Sequence, residues 1–292
     1  MMNIKSLFIL IGLWITLPLY SQENAAEVQY GNNPQAGHIA VINGIDMYYE
    51  VYGTGKPMLI IHGNGQSIVD LSPQIAYFSA ANQVIVADSR GHGKSGLGEA
   101  ELNYIQMMED YNSLLTQLQI KQANVIGWSD GGIQALLLAI HHPDKVVKMA
   151  TMGANLRPDA TAINDWVPGL LQPLSDYIDK MIATADTSAD WKHQQQLLNI
   201  LRTQPNIAIE ELHKIKAPVL VMAGDKDIIR AEHTLEIFNN IPNAHLAILP
   251  GQTHWAPATD AETFNSLVDK FFTNPYTRPT SEAILTAELK LP

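Results

Sequence analysis

Ser129, His254 and one of Asp225 or Asp227 are the residue types that acyl transfer needs, and they stand far apart in the chain. A serine hydroxyl is a weak nucleophile until a base takes its proton and an acid orients that base. Ser129 lies in Gly127-Trp128-Ser129-Asp130-Gly131, a G-x-S-x-G pattern. It follows an apolar strand pattern, "ANVIG", and opens a helical one. That context gives the glycines a reason. A serine on a sharp strand-to-helix turn lifts its hydroxyl above the sheet edge, and side chains at the flanking positions would collide with neighbouring chain. Backbone N–H groups at the helix start face the place where negative charge develops. Alone, the pattern also fits an ordinary turn with a serine N-cap.

Three other segments carry the argument further. "GDKDII" places Asp225 and Asp227 after one apolar run, and "PGQTHWAP" places His254 after the next. In a parallel sheet both loops emerge on the same edge as Ser129. "HGNG", His62 to Gly65, follows an earlier strand pattern and offers a backbone oxyanion donor beside the N–H of Asp130.

The elements that must position these loops are legible from periodicity. "HIAVINGIDMYYEVYG" reads as two alternating strands around Asn43-Gly44, a hairpin signal. "KPMLIIHG", "NQVIVADSRGHGKS", "ANVIG", "KVVKMATMG", "APVLVMAG" and "AHLAILPG" read as six buried strands, most of them separated by helical patterns. Asn103 to Leu118 is one such helix, through Tyr104, Met107, Met108, Tyr111, Leu114 and Leu115. Apolar strands alternating with helices predict an α/β fold, a mostly parallel twisted sheet covered on both faces. Residues 155–213 break the rhythm with two further helical patterns, Trp166 to Ile182 and Trp191 to Leu201. An insertion of that length is too long for a connector and predicts a small helical cap.

Composition narrows the function. The chain has 292 residues, 46% of them hydrophobic, enough for a sizeable core. Its formal net charge of -11 and the lack of a Lys/Arg-rich run argue against nucleic acid or an anionic membrane as partner. With 0 cysteines, disulfides, thiol nucleophiles and thiolate metal sites are excluded. No His/Asp/Glu cluster has ligand spacing, so no metal is expected, and nothing implies a cofactor. Lys5, the apolar run Leu7 to Leu19 and small Ser21 predict a signal peptide over residues 1–21. The run is short for a spanning helix, although an uncleaved N-terminal anchor is the alternative. A periplasmic or secreted protein with no stable membrane insertion after cleavage is expected. The predicted organisation is a linker over 22–37, core over 38–154, cap over 155–213, core over 214–272 and a weakly patterned tail over 273–292.

Together "HGNG", "DSRGHGKS", "GWSDGG", "GDKD" and "THW" resemble the α/β-hydrolase family, serine esterase type, over about Ile39 to Phe272. The resemblance implies that Ser129 is the nucleophile and His254 the base, then acid. The family's G-x-x-D pattern implies Asp227 rather than Asp225 as the orienting acid. The N–H groups of Asn64 and Asp130 would form the oxyanion hole. The implied reaction is cleavage of a small carboxylic ester through an acyl-enzyme. A carbon–carbon bond hydrolase or a cofactor-free perhydrolase shares this triad. A ligand-binding receptor on the same fold is the non-enzyme alternative.

Asp130 is the unusual residue, because a carboxylate beside the nucleophile repels an oxyanion if it faces the site. It either turns away to the helix start, where an acid is favoured by about 0.3–1 kcal/mol, or faces the pocket and binds a substrate cation. The stretch "GWSDGGIQAL" resembles biphenyl-hydrolase-like amino-acid-ester hydrolases, which implies that Asp130 binds an α-amino group. Trp128 and Trp255 are pocket wall or plain core. His62 and Arg90-Gly91-His92-Gly93 are expected to shape turns, Asp88 to secure its loop, and His141 and His142 to suit a helix end.

Overall fold

The computed structural model describes residues 28–289. The predicted signal peptide and residues 22–27 of the predicted linker therefore lie outside the described residues. Eight strands form one sheet: β1 (Gly37–Ile42), β2 (Ile45–Tyr52), β3 (Lys56–Ile61), β4 (Asn82–Ala87), β5 (Ala123–Trp128), β6 (Val146–Met152), β7 (Val219–Lys226) and β8 (Ala244–Thr253). Their spatial order is β1-β2-β4-β3-β5-β6-β7-β8. The β1–β2 hairpin turns at Asn43-Gly44, both at positive φ, as the dipeptide predicts. It pairs antiparallel to β4, and every later pairing is parallel.

Strand alternation explains why the parallel strands read as unbroken apolar runs. Leu59, Ile61, Val125, Val219 and Val221 point to one face, into a core shared with α2 (Tyr104–Gln117) and α3 (Asp130–His141). Met58, Ile60, Ile126, Leu220 and Met222 point to the other. There they meet α1 (Ser72–Phe78) and, past the cap helices, the α-helix Ala261–Thr273. With helices on both faces, the central positions of β3, β4, β5 and β7 are buried on either side.

Between β6 and β7 lie α4 (Val167–Ala183) and α5 (Trp191–Thr203), which pack on each other around Ile178, Trp191 and Leu198. Asp190 caps α5, its carboxylate accepting the His193 N–H at 3.0 Å. Ile207 and Leu212 belong to the main core, so the chain has rejoined the sheet layer before β7 begins. After β7 come α6 (Ala231–Asn240), β8, α7 (Ala256–Thr259), α8 (Ala261–Thr273) and a solvent-exposed α9 (Ser281–Leu289).

Two stretches are more tightly held than their sequence suggests. In the described part of the linker, Glu50 accepts the Gly31 and Asn33 N–H groups at 2.8 and 3.1 Å. Arg90 does more than shape a turn: it makes a paired contact to Asp110 of α2, at 2.7 and 2.8 Å, with both side chains buried. Among the described residues no helix is long and apolar enough to cross a membrane.

Candidate active site

Ser129 ends β5 and begins α3 with φ 57° and ψ −121°, a left-handed backbone that a serine adopts only where surroundings impose it. The flanking glycines are what those surroundings require. A Cβ on Gly127 would strike the backbone of Gly131, and one on Gly131 would strike the carbonyls of Ile61 and His62. β3 thus passes too close to the turn for any side chain there.

His254 follows β8 and Asp227 follows β7, and the fold brings both to Ser129. His254 Nε2 lies 2.8 Å from Ser129 Oγ, and His254 Nδ1 lies 2.6 Å from Asp227 Oδ1. Burial opposes ionisation of Asp227. The facing imidazole and the backbone N–H groups of Ile229 (3.0 Å) and Gly224 (3.3 Å) outweigh it and hold the carboxyl below the usual carboxylate range. Asp227 is then an acceptor only. His254 must carry its proton on Nδ1, which leaves Nε2 to accept from the Ser129 hydroxyl. Asp225 takes no part: it lies at the exposed end of β7 and accepts the Gly251 N–H at 3.0 Å.

The "HGNG" loop lies against the serine. A Cβ on Gly63 would stand 2.9 Å from the Ser129 Cβ. Among the described residues, neither the Asn64 nor the Asp130 backbone N–H donates to a protein acceptor. The Asn64 side chain is engaged on two sides. Its Nδ2 donates to Asp130 Oδ2 at 3.1 Å and to the Leu197 carbonyl of α5 at 3.1 Å. One amide therefore joins the two residues of the expected oxyanion hole to the cap.

Asp130 does not turn away from the site. It is buried and lines a cavity of about 240 Å³ together with Ser129 and His254. Burial raises its carboxyl to about 6, against the opposing pull of Tyr104, Asn64 and His254. Tyr104 also lines this cavity, and burial beside Asp130 pushes its hydroxyl well above the usual tyrosine range. The roof is apolar, supplied by Val167, Pro168 and Leu171 of α4.

Of the two readings open for the tryptophans, pocket wall or core, neither residue lines this cavity. Trp128 belongs to the core, and its indole N–H donates to the His254 carbonyl at 2.7 Å. Trp255 is part-exposed and stands edge-on to the His254 ring, 5.5 Å between centroids. Trp128, at the end of β5, thus anchors the histidine's backbone.

His62 does shape its turn: Nδ1 meets the Gly63 carbonyl at 2.8 Å and Nε2 accepts the Ser89 N–H at 2.9 Å, with burial lowering its pKa to about 4. His92 is likewise buried, its Nδ1 on the Arg90 carbonyl and its pKa lowered to about 3, chiefly by burial. Asp88 secures its loop from two directions, accepting the Lys94 N–H at 2.8 Å and the distant Ile68 N–H at 2.9 Å. His141 closes α3, and His142 after it pairs with Glu109 of α2 at 2.8 Å.

Two contributors escaped the sequence reading. Gly153, at the end of β6 with φ +66°, leaves the space in which the imidazole sits. A Cβ there would lie 2.6 Å from His254 Nδ1. A glycine closing a strand on the active edge is the signal for it. Asn164, at the entry to the cap, donates to the Asp227 carbonyl at 2.8 Å, and no local pattern marks it.

The sheet, the strained serine and the histidine and acid delivered by successive loops define a hydrolase fold. The alpha/beta hydrolase fold family matches residues 56–204, and the chain belongs to that family, as an α/β-hydrolase enzyme. The Mus musculus protein named serine hydrolase BPHL is 27% identical over 263 residues, 83% of this chain and 88% of that one. The putative carbamate hydrolase RutD of Azorhizobium caulinodans is 27% identical over 251 residues, 76% of this chain and 93% of that one. The crystal structure of the enol-lactonase from Burkholderia xenovorans LB400 matches with a TM-score of 0.67. It covers 81% of this chain and 100% of that one at 23% identity, a likeness of fold.

Proposed function

We propose that the protein hydrolyses small carboxylic esters through a Ser129 acyl-enzyme. The observation that carries the reading is the unbroken chain from Ser129 Oγ to His254 Nε2 at 2.8 Å and from Nδ1 to Asp227 at 2.6 Å. Ser129 Oγ attacks the ester carbonyl as its proton passes to His254 Nε2. Oxyanion charge develops beside the Asn64 and Asp130 N–H groups. His254 then protonates the leaving alcohol, and water attacks the acyl-enzyme with His254 again as base. Ser129→Ala is expected to lose ester hydrolysis while keeping its fold by circular dichroism. Normal turnover in that variant would overturn the proposal. Labelling of Ser129 by a fluorophosphonate probe separates an enzyme from a ligand-binding receptor, which would not label.

The position of Asp130 supports a narrower second reading, an α-amino-acid ester as substrate. Asp130 lines the cavity with the serine, and its buried carboxylate would be the partner for a substrate ammonium there. The check is kcat/KM for an amino-acid ester against its des-amino analogue, in wild type and Asp130→Asn. Preference for the amine, lost in the variant, supports the reading. Equal treatment of both esters by both proteins removes it. Export after cleavage at Ser21 belongs to the same proposal and is tested by the mass of the mature chain.

A further inference from the structure

Arg202 lies in the last turn of α5, solvent-exposed, and is among the residues that line the cavity. Its Nη1 donates to Ser175 Oγ at 2.8 Å and its Nη2 to Gln172 Oε1 at 3.2 Å, both on α4 and both uncharged. Among the described residues it forms no ion pair. Arg90 pairs with Asp110, Arg157 with Asp159 and Glu236, and Arg230 with Asp165, while Arg278, far from the cavity in sequence, donates to the Pro242 carbonyl and lies over the Phe238 ring. Scarcity of acids is not the cause, because residues 155–213 hold Asp159, Asp165, Asp176, Asp179, Asp186, Asp190, Glu210 and Glu211. The nearby acid Asp176 instead accepts from the Gln172 amide, 2.7 Å away. Asp130, the acid in the cavity, accepts from Asn64. A guanidinium carries five N–H donors in a planar fork that matches a carboxylate. Two nitrogens are held by neutral acceptors on α4, which orients the fork, and donors remain for an anion.

We propose that Arg202 is an anion subsite that takes a carboxylate at the end of the substrate remote from the scissile bond. The proposal rests on the ester-hydrolase reading and narrows its substrate class to esters bearing a second, free acid. At long range the formal net charge of -11 repels such a molecule, so any preference for it must arise locally.

The test compares esters that differ only in that charge. One pair is monoethyl adipate and its primary amide, with the charge on the acyl side. The other is 4-acetoxybutanoate and its primary amide, with the charge on the alcohol side. Wild type is expected to favour the acid in one pair by about tenfold or more in kcat/KM, the range of a charge-assisted bond. In Arg202→Gln, whose amide can still reach the α4 acceptors, the acid-to-amide ratio is expected to fall to one or below. Arg202→Lys keeps the charge without the fork and is expected to fall between. A wild-type ratio near one in both pairs, or a preference that survives in Arg202→Gln, overturns the subsite. Calorimetry on the Ser129→Ala protein with adipate and adipamide reads the same subsite without chemistry. Adipate is expected to bind at least tenfold tighter, and equal binding overturns the proposal. If none of the four esters is turned over, the ester reading fails while calorimetry still decides the subsite.

Discussion

Asp227 and Asp130 are both buried aspartates within reach of the same histidine, yet the fold drives them in opposite directions. Asp227 is held below the usual carboxylate range and Asp130 is raised to about 6. Burial pushes both upward, so burial does not decide. What faces each carboxylate does. Asp227 meets an imidazole and two backbone N–H groups, which stabilise the charged form. Asp130 meets a neutral amide and a neutral phenol in a cavity with an apolar roof. Its place at the α3 N-terminus, where the helix dipole favours an acid, is too small an effect to reverse that.

The largest test of this contrast is Asp227→Asn. The amide removes the acceptor that keeps the proton on His254 Nδ1, and kcat/KM for the ester is expected to fall roughly 10³–10⁴-fold. Steady-state kinetics checks it, and a loss below tenfold would break the comparison.

Asp130→Asn is expected to act on stability with a distinctive pH profile. A carboxyl raised from 3.8 to about 6 makes the folded state bind protons more tightly than the unfolded one. The cost of burying the charge, about 3 kcal/mol, is therefore complete above pH 6 and absent below 3.8. Urea denaturation at pH 8 is expected to show the variant more stable, with the gain gone at pH 3.5. A gain independent of pH would mean that the carboxyl of Asp130 is not shifted by folding.

Asn64→Ala leaves Asp130 without its amide donor and is expected to cost about 1–3 kcal/mol of stability at pH 8. It also frees the "HGNG" loop from the Leu197 carbonyl, so kcat is expected to fall more than KM changes. A change confined to stability would show that the amide does not position the site. The smallest effect belongs to Asp225→Asn, expected within about 0.5 kcal/mol in stability and leaving kcat/KM unchanged. A large kinetic loss there would reassign the orienting acid.

Much of this site was legible before any coordinates. The G-x-S-x-G turn, His254, the "HGNG" loop and the α/β layering follow from glycine spacing and apolar periodicity, which are local properties. Asp225 and Asp227 show where that ends. They stand two residues apart in one loop, and only a family resemblance separated them. The loop then turned Asp227 inward against His254 and left Asp225 with Gly251. The orientation of Asp130 was open for the same reason, since one side-chain rotation chooses between solvent and cavity. The tryptophans were open between pocket wall and core because an indole beside a site residue reads alike whether it faces substrate or supports the chain behind it.

By itself the sequence determined the order and type of the strands, the strained turn at Ser129 and the residue types that reach the sheet's C-terminal edge. Backbone propensity and apolar period act within a few residues and can be read along the chain. Only the tertiary structure decided which acid faces His254, that Gly153 leaves room for the imidazole, that Asn64 ties Asp130 to the cap, and that Arg202 lines the cavity while its guanidinium is held by uncharged acceptors on α4. Each of these joins segments tens of residues apart. Their partners are chosen by packing and by the electrostatics of buried groups, which come into being when the layers close on one another.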